Sequence, residues 1–354
     1  MKKEKWGYTT LMNIANVSFD SHPRFADHLV GHASIVEHLK IAHKAGRLPH
    51  GLLFTGAKGL GKATFAHQLA RALLNDSMEC LGELPAPSLS STDHLLRAGN
   101  HPDFIVLEKQ ADEKGKVTKD ISVEKARSVV HFFSQTSLED NWRIAVIDSV
   151  DDLTPKGANT LLKVLEEPPH KCLLILISQN LESVLPTLRS RAQIIQFSPL
   201  LEQETKALFE EKKLEDAPFL ASISAGRPGL GLMINDLGGR SFYEAFLKVM
   251  KDLSAQDLRS THGFIETFIL KNTALNPEVA WSFFADFLNH WVAHTLSLEQ
   301  KNNEQGILNK RSPDQWVESW FSIQEILRTT HIFSLDKKQT LLCVFHELAG
   351  LHQR

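Results

Sequence analysis

At 354 residues the chain has room for two or three compact units of roughly 100–200 residues each. Its 42% hydrophobic and 23% charged residues exclude fibrous, mucin-like and wholly disordered classes. With 39 Lys+Arg against 42 Asp+Glu, a formal charge of −3 excludes a polybasic protein that holds nucleic acid by bulk charge.

The longest apolar run, Leu173 to Ile177 beside Cys172, falls far short of the ~18 residues a membrane helix needs. Residues 1–20 carry Lys2, Lys3 and Lys5 but no apolar stretch before a small-residue cleavage site. They are expected to be an N-terminal extension, and the reducing cytoplasm is the expected compartment. Cys80, Cys172 and Cys343 are odd in number and widely spaced, which argues against disulfides and against a C-x-x-C zinc or redox site.

In chain order, Gly51 to Thr55 is a short apolar run leading into glycines. Lys62 to Leu74 follows, with Phe65, Ala66, Leu69, Ala70, Leu73 and Leu74 on one helical face. Asp76 to Asn100, with Pro85, Pro87 and a Ser/Thr cluster, reads as a surface loop, as does the charged stretch Lys109 to Asp120. Between them Phe104 to Leu107 is a strand, and Ile121 to Phe133 reads as a helix. Ile144 to Ile147 and Leu173 to Ile177 are continuous apolar runs, the pattern of strands buried on both faces of a parallel sheet. The helix between them has Thr154 as N-cap, Pro155 at its first position and Pro168-Pro169 as its stop. Strand, helix and strand at these lengths predict a three-layer α/β domain. After Pro199 the strand-like runs end. Glu202 to Lys212 and Pro218 to Ser224 read as helices leading to Gly226-Arg227-Pro228-Gly229, which places a small helical domain at 198–240. From Ser241 the chain is helical and aromatic, with Trp281 to Leu296 and Trp316 to Leu327 separated by a polar loop, Gln300 to Asn309. Aromatic stripes at helical spacing predict core rather than a cofactor pocket.

The strongest chemical signal is Gly56-Ala57-Lys58-Gly59-Leu60-Gly61-Lys62-Ala63-Thr64, set between a strand and a helix. Glycines allow the backbone N–H groups to turn inward, the helix N-terminus adds its dipole, and Lys62 is placed to reach β/γ-phosphates. The next residue should carry the hydroxyl that binds Mg²⁺, yet it is Ala63. Thr64 comes one position late, about 100° further round the helix. Two readings stay open: real phosphate binding, or a glycine-rich turn kept after nucleotide binding was lost. Ile144 to Asp148 is an apolar strand ending in a carboxylate that can hold Mg²⁺ through water. Where hydrolysing P-loop ATPases place a glutamate as general base, a contribution of roughly 10²–10⁴ in rate, this chain has Ser149. Asp151 and Asp152, beyond the strand end, read as solvated loop acids.

Four segments together carry a resemblance. They are Gly46-Arg47-Leu48-Pro49-His50-Gly51-Leu52-Leu53-Phe54-Thr55-Gly56, Asn100-His101-Pro102-Asp103, Asn159-Thr160-Leu161-Leu162-Lys163-Val164-Leu165-Glu166-Glu167-Pro168-Pro169 and Leu185-Pro186-Thr187-Leu188-Arg189-Ser190-Arg191. In these the chain resembles bacterial clamp-loader AAA+ subunits of DNA polymerase III, over about residues 25–230. The C-terminal third shares helical character and Leu335-Asp336-Lys337-Lys338-Gln339.

The resemblance implies a RecA-like AAA+ P-loop domain with a parallel sheet at 21–197, a small helical lid at 198–240 and an all-α collar at 241–354. It implies partners of gamma/tau and delta type in a pentameric ring, which uses ATP to open the β sliding clamp and place it on primer-template DNA. Within that group the residues suit a stator subunit whose own ATPase is absent or very weak. Weak or vestigial ATP binding would fall to Gly56, Gly59, Gly61, Lys62, Ala63, Thr64 and Asp148, with Mg²⁺ present only alongside nucleotide. Ser178 and Gln179 fall at the sensor 1 position. Gly229 stands where an active subunit carries its sensor 2 arginine, with Arg227 nearby. Arg191, in Ser190-Arg191-Ala192, matches the arginine that reaches across to a neighbour's ATP, and Ala192 replaces the family's cysteine. Cys80 and His94 are too few for the zinc module that the family often carries, so no zinc is expected. The alternatives are a motor subunit hydrolysing ATP in its own site and an unrelated P-loop kinase. The kinase reading leaves Ser190-Arg191 and the aromatic C-terminus unexplained.

Overall fold

The computed structural model describes residues 22–26, 29–82, 90–109, 121–135, 141–236, 238–254, 259–270, 281, 283–292, 313–333 and 335–349. Residues 1–20, the loop Gln300 to Asn309 and most of Lys109 to Asp120 lie outside them. Within the described residues two compact units form, one ending at Met233 and one beginning at Ile234.

The first unit is built on five parallel strands: β1 (Gly51–Thr55), β2 (Phe104–Glu108), β3 (Arg143–Asp148), β4 (Cys172–Ser178) and β5 (Gln193–Gln196), in the order β2-β3-β4-β1-β5. β1 and β4 are buried at every residue, which explains their unbroken apolar runs. Side chains alternate between two cores. Leu52, Phe54, Ile144, Val146, Leu173 and Ile175 face one side with α1 (Ala33–Lys44) and α2 (Lys62–Leu74). Leu53, Ala145, Ile147, Leu174 and Leu176 face the other with α4 (Val123–Ser134) and α5 (Pro155–Glu166). This is the three-layer arrangement expected from the sequence. The neighbours β1 and β4 send their connections in opposite directions, so a crevice opens beyond their carboxyl ends.

Several local expectations change. Asp76 to Asn100 is not all loop, since it holds a 3₁₀ turn at Met78–Cys80 and the helix α3 (Ser91–Ala98). Ser90 and Asp93 close a capping box, Asp93 N–H donating to Ser90 Oγ at 3.0 Å and Ser90 N–H to Asp93 Oδ2 at 2.9 Å. Ile121 lies outside its helix, because its N–H donates to Asp152 O at 2.7 Å and Ser122 caps the helix that starts at Val123. β5 was hidden by its polar ends, as befits an edge strand. The short helix α6 (Pro186–Arg189) precedes it.

Beyond the sheet come α7 (Glu202–Glu211), α8 (Ala217–Ser224) and α9 (Pro228–Asp236). The second unit holds α10 (Gly239–Ser254), α11 (Arg259–Phe264) running into a π-helical turn (Ile265–Leu270), α12 (283–292), α13 (Pro313–Phe333) and α14 (Lys337–Ala349). Phe242, Phe246, Phe264, Phe283, Phe284, Phe287 and Phe345 are buried, with ring centroids 5.4 Å apart for Phe242–Phe287 and for Phe284–Phe345. The aromatic stripe is therefore core. Asp336 caps α14, its Oδ1 accepting from Gln339 N–H at 2.8 Å. No helix among the described residues is long and apolar enough to cross a membrane.

Candidate functional site

The crevice beyond β1 and β4 is a cavity of about 750 Å³ whose floor is Lys58 to Thr64, with Asp148 and Gln179 beside it. Gly56, Gly59 and Gly61 have φ of 139°, 88° and 87°, which a side chain would strain, so the loop takes the turn its glycines foretell. Gly61 then starts α2, placing its N-terminal dipole at the loop. Ala63 and Thr64 both line the cavity, and Ala63 brings no oxygen to it.

Lys62 is buried, and its ammonium donates to the carbonyls of Gly56 at 2.5 Å and Ala57 at 2.7 Å. Burial pushes its pKa down to about 8, against the opposing pull of Asp148 and Asp151. It holds the loop together from within.

Asp148 ends β3 opposite Glu108 at the end of β2. Burial raises the pKa of Asp148, with Lys62 and Lys58 opposing the rise. Burial, reinforced by the Asp148 charge, pushes Glu108 up to about 7. Two carboxylates thus share the strand ends with less positive charge than both need when ionised. Glu108 was not singled out in the sequence, where it reads as the polar end of an apolar run.

Asp151 is no solvated loop acid. Its carboxylate accepts from Ser149 Oγ at 2.9 Å, Ser178 Oγ at 2.8 Å and Gln179 N–H at 2.7 Å, and also from Ser183 Oγ. Ser149, which follows Asp148, is thereby tied to the end of β4. Ser178 is fully buried and spends its hydroxyl on Asp151 and Asn180, whereas Gln179 lines the cavity. Asp152 forms an ion pair with Lys109 at 2.6 Å.

Leu208, Glu211, Lys212, Pro228, Gly229 and Leu232 close the cavity from the helical side. The contact with the loop is backbone on backbone. Gly229 N–H donates to Gly59 O at 2.9 Å, and a Cβ on Gly229 would lie 3.0 Å from Gly59 Cα. A Cβ on Gly59 would lie 2.8 Å from Leu230 N. Arg227 does not line the cavity, and its Nε donates to Ser224 O at 3.2 Å.

Arg191 lies outside the cavity, in the turn between α6 and β5, and is exposed. Its Nε is paired with Glu166 Oε1 at 2.9 Å, and its Nη1 donates to Thr187 O and Ser190 Oγ, each at 3.1 Å. The structure therefore groups Gly59, Gly61, Lys62, Ala63, Thr64 and Asp148 at one cavity, with Gly56 shaping its loop, and sets Arg191 apart.

A family model described as DNA polymerase III, delta subunit, matches residues 31–201. The DNA polymerase III subunit delta' of Bacillus subtilis (strain 168) is 31% identical over 229 residues, 62% of this chain and 63% of the relative. The same-named subunit of Pseudomonas aeruginosa is 31% identical over 266 residues, 73% of this chain and 75% of the relative. The match thus spans slightly under two thirds of the first relative and three quarters of the second. Among solved structures, a DNA polymerase III gamma-subunit-related protein from Thermotoga maritima aligns over 89% of this chain and 98% of its own, at 15% identity and a TM-score of 0.45.

Proposed function

Because this chain belongs to the DNA polymerase III delta' family, we propose that it is the stator of a clamp loader, a subunit that helps place a sliding clamp on primed DNA without turning over ATP itself. Residues 21–197 act as the AAA+ domain, 198–240 as a lid and 241–354 as the collar through which gamma/tau-type and delta-type partners join it in a ring.

The observation that carries this reading is the fate of the residue after Asp148. Ser149 offers no carboxylate to deprotonate an attacking water, and its hydroxyl is committed to Asp151. Removal of a general base costs roughly 10²–10⁴ in rate. The residues fit a phosphate group only in part. The glycine turn and helix N-terminus suit an anion, but Lys62 is engaged with loop carbonyls and Ala63 supplies no hydroxyl to Mg²⁺. Bound ATP-Mg²⁺ would supply an electrophilic phosphoryl group; this chain's own residues can cradle its phosphates but not activate water. Binding here is therefore weak or vestigial.

Arg191 acts instead on the nucleotide of the adjoining subunit. A guanidinium contributed in trans stabilises charge on the transferring phosphoryl group, an effect of up to 10³–10⁵ in rate in related NTPases.

The test is reconstitution. The full chain, mixed with gamma/tau-type and delta-type subunits, co-purifies with them, and alone it shows no ATP turnover. Turnover by the isolated chain that disappears in Lys62→Ala would instead make it a motor subunit. In the assembled ring Arg191→Ala leaves assembly intact and lowers DNA-stimulated ATPase by at least tenfold; an unchanged rate removes the trans role.

A further inference from the structure

Arg191 is useful across an interface only if its flexible side chain is held where the neighbour's nucleotide arrives, and the group in contact with it is Glu166. Glu166 is the last residue of α5. Two features fix that helix end against the start of β1. His50 Nε2 is hydrogen-bonded to Leu165 O at 2.9 Å, occupying one of the carbonyls a helix C-terminus leaves open. Gly51 lets the helix come close, since a Cβ there would sit 2.5 Å from Leu165 Cδ2, and 3.6 Å and 3.7 Å from Arg191 O and Ala192 Cα. The end of α5 and the Arg191 turn thus both pack against the start of β1, and Glu166 Oε1 meets Arg191 Nε at 2.9 Å. With Nη1 held by Thr187 O and Ser190 Oγ, Nη2 is left without a partner among the described residues.

We propose that Glu166 is a positioning residue for Arg191, gripping the guanidinium by Nε so that Nη2 is presented to the γ-phosphate of the neighbouring subunit's nucleotide. The inference rests on the trans reading of Arg191. Both side chains are more than a third exposed, so the pair is weak in water. It orients the fork without competing seriously with a phosphate, which binds a guanidinium far more strongly at a desolvated interface. The carboxylate also keeps the guanidinium plane fixed, so that less rotamer freedom remains to be lost when the phosphate is met.

The experiment uses the full-length chain in the reconstituted ring, with Glu166→Ala, Glu166→Gln, Arg191→Ala and the double variant Glu166→Ala/Arg191→Ala. Glu166→Ala lowers kcat of the DNA-stimulated ATPase three- to tenfold with KM and assembly unchanged. Glu166→Gln, whose Oε1 still accepts from Nε, recovers most of the rate. The double variant is no slower than Arg191→Ala alone. A second readout is the Arg191 Nε–H NMR signal of the isolated chain, protected from exchange in the native chain and in Glu166→Gln and lost in Glu166→Ala. If Arg191→Ala lowers the rate and Glu166→Ala does not, or if Glu166→Ala costs as much again in the Arg191→Ala background, the positioning role is refuted while the trans role stands. If Arg191→Ala itself changes nothing, both fall.

Discussion

Asp151 offers the sharpest test of how the site is held, because its four hydrogen bonds differ in what replaces them. In Asp151→Ala the hydroxyls of Ser178 and Ser183 keep a second acceptor, Asn180 O, whereas Ser149 Oγ and Gln179 N–H lose the acceptor seen here. Bonds to a charged acceptor contribute roughly 1.5–3 kcal/mol each, so two uncompensated losses cost about 3–6 kcal/mol before relaxation. Partial access of water to Gln179 brings the expected loss to about 3 kcal/mol. For a unit of this size that lowers the melting midpoint by roughly 6–12 °C. Asp151→Asn keeps the shape and one acceptor oxygen and loses about half as much. Asp152→Ala is the matched control, one residue away and of the same residue type; it removes an ion pair with Lys109 and costs about 0.5 kcal/mol. Thermal and urea denaturation of the three variants, followed by circular dichroism, give the ordering. If Asp151→Ala is no more destabilising than Asp152→Ala, the carboxylate is not the clasp described.

Glu108→Gln stabilises the protein by roughly 3 kcal/mol near pH 8, since moving a carboxyl's titration from 4.5 to about 7 corresponds to about 1.36 kcal/mol per pH unit. The folded state binds the extra proton, so the native chain loses stability as pH rises from 4.5 to 7, and the gain shrinks towards pH 4.5; a pH-independent gain in urea titrations would count against the buried carboxylate pair. Lys62 has the opposite sign. With its pKa pushed down to about 8, the unfolded chain binds the extra proton between 8 and 10.5, so native stability rises over that window relative to Lys62→Met, and parallel pH profiles would contradict the burial. Gly231→Ala sets a Cβ 2.3 Å from Cζ of the fully buried Phe209 and costs roughly 1–3 kcal/mol, whereas Gly263→Ala, with nothing within 4 Å, gains about 0.5–1 kcal/mol; equal midpoints would sink the distinction.

What the sequence made legible follows from which forces are local. Strands buried on both faces announce themselves as apolar runs, and Thr154-Pro155 with Pro168-Pro169 brackets α5 without reference to anything distant. The phosphate loop was equally plain because glycine spacing encodes backbone conformation directly. Ser90-x-x-Asp93 was a readable capping box overshadowed by the prolines before it. Asp151 was unreadable for a different reason. Its partners Ser178 and Ser183 are 27 and 32 residues away, and only the pairing of β3 with β4 brings them together. Glu166 is similar, adjacent to Arg191 only because the end of α5 and the turn before β5 meet beside the start of β1. Pairings of this kind are decided by tertiary geometry, which composition and spacing do not record.

The glycine contact between the phosphate loop and α9 constrains what sequences could follow from this one. Positions 59 and 229 touch through main chain alone, so a side chain at 59 forces backbone apart, while one at 229 requires the loop to give by a few tenths of an ångström. An arginine at 229 would bring its Cβ to 3.0 Å from Gly59 Cα and so press on the loop that the Gly229–Gly59 hydrogen bond holds. A change at either position is therefore felt at the other. The coupling between the two elements is thus written in the backbone rather than in side chains.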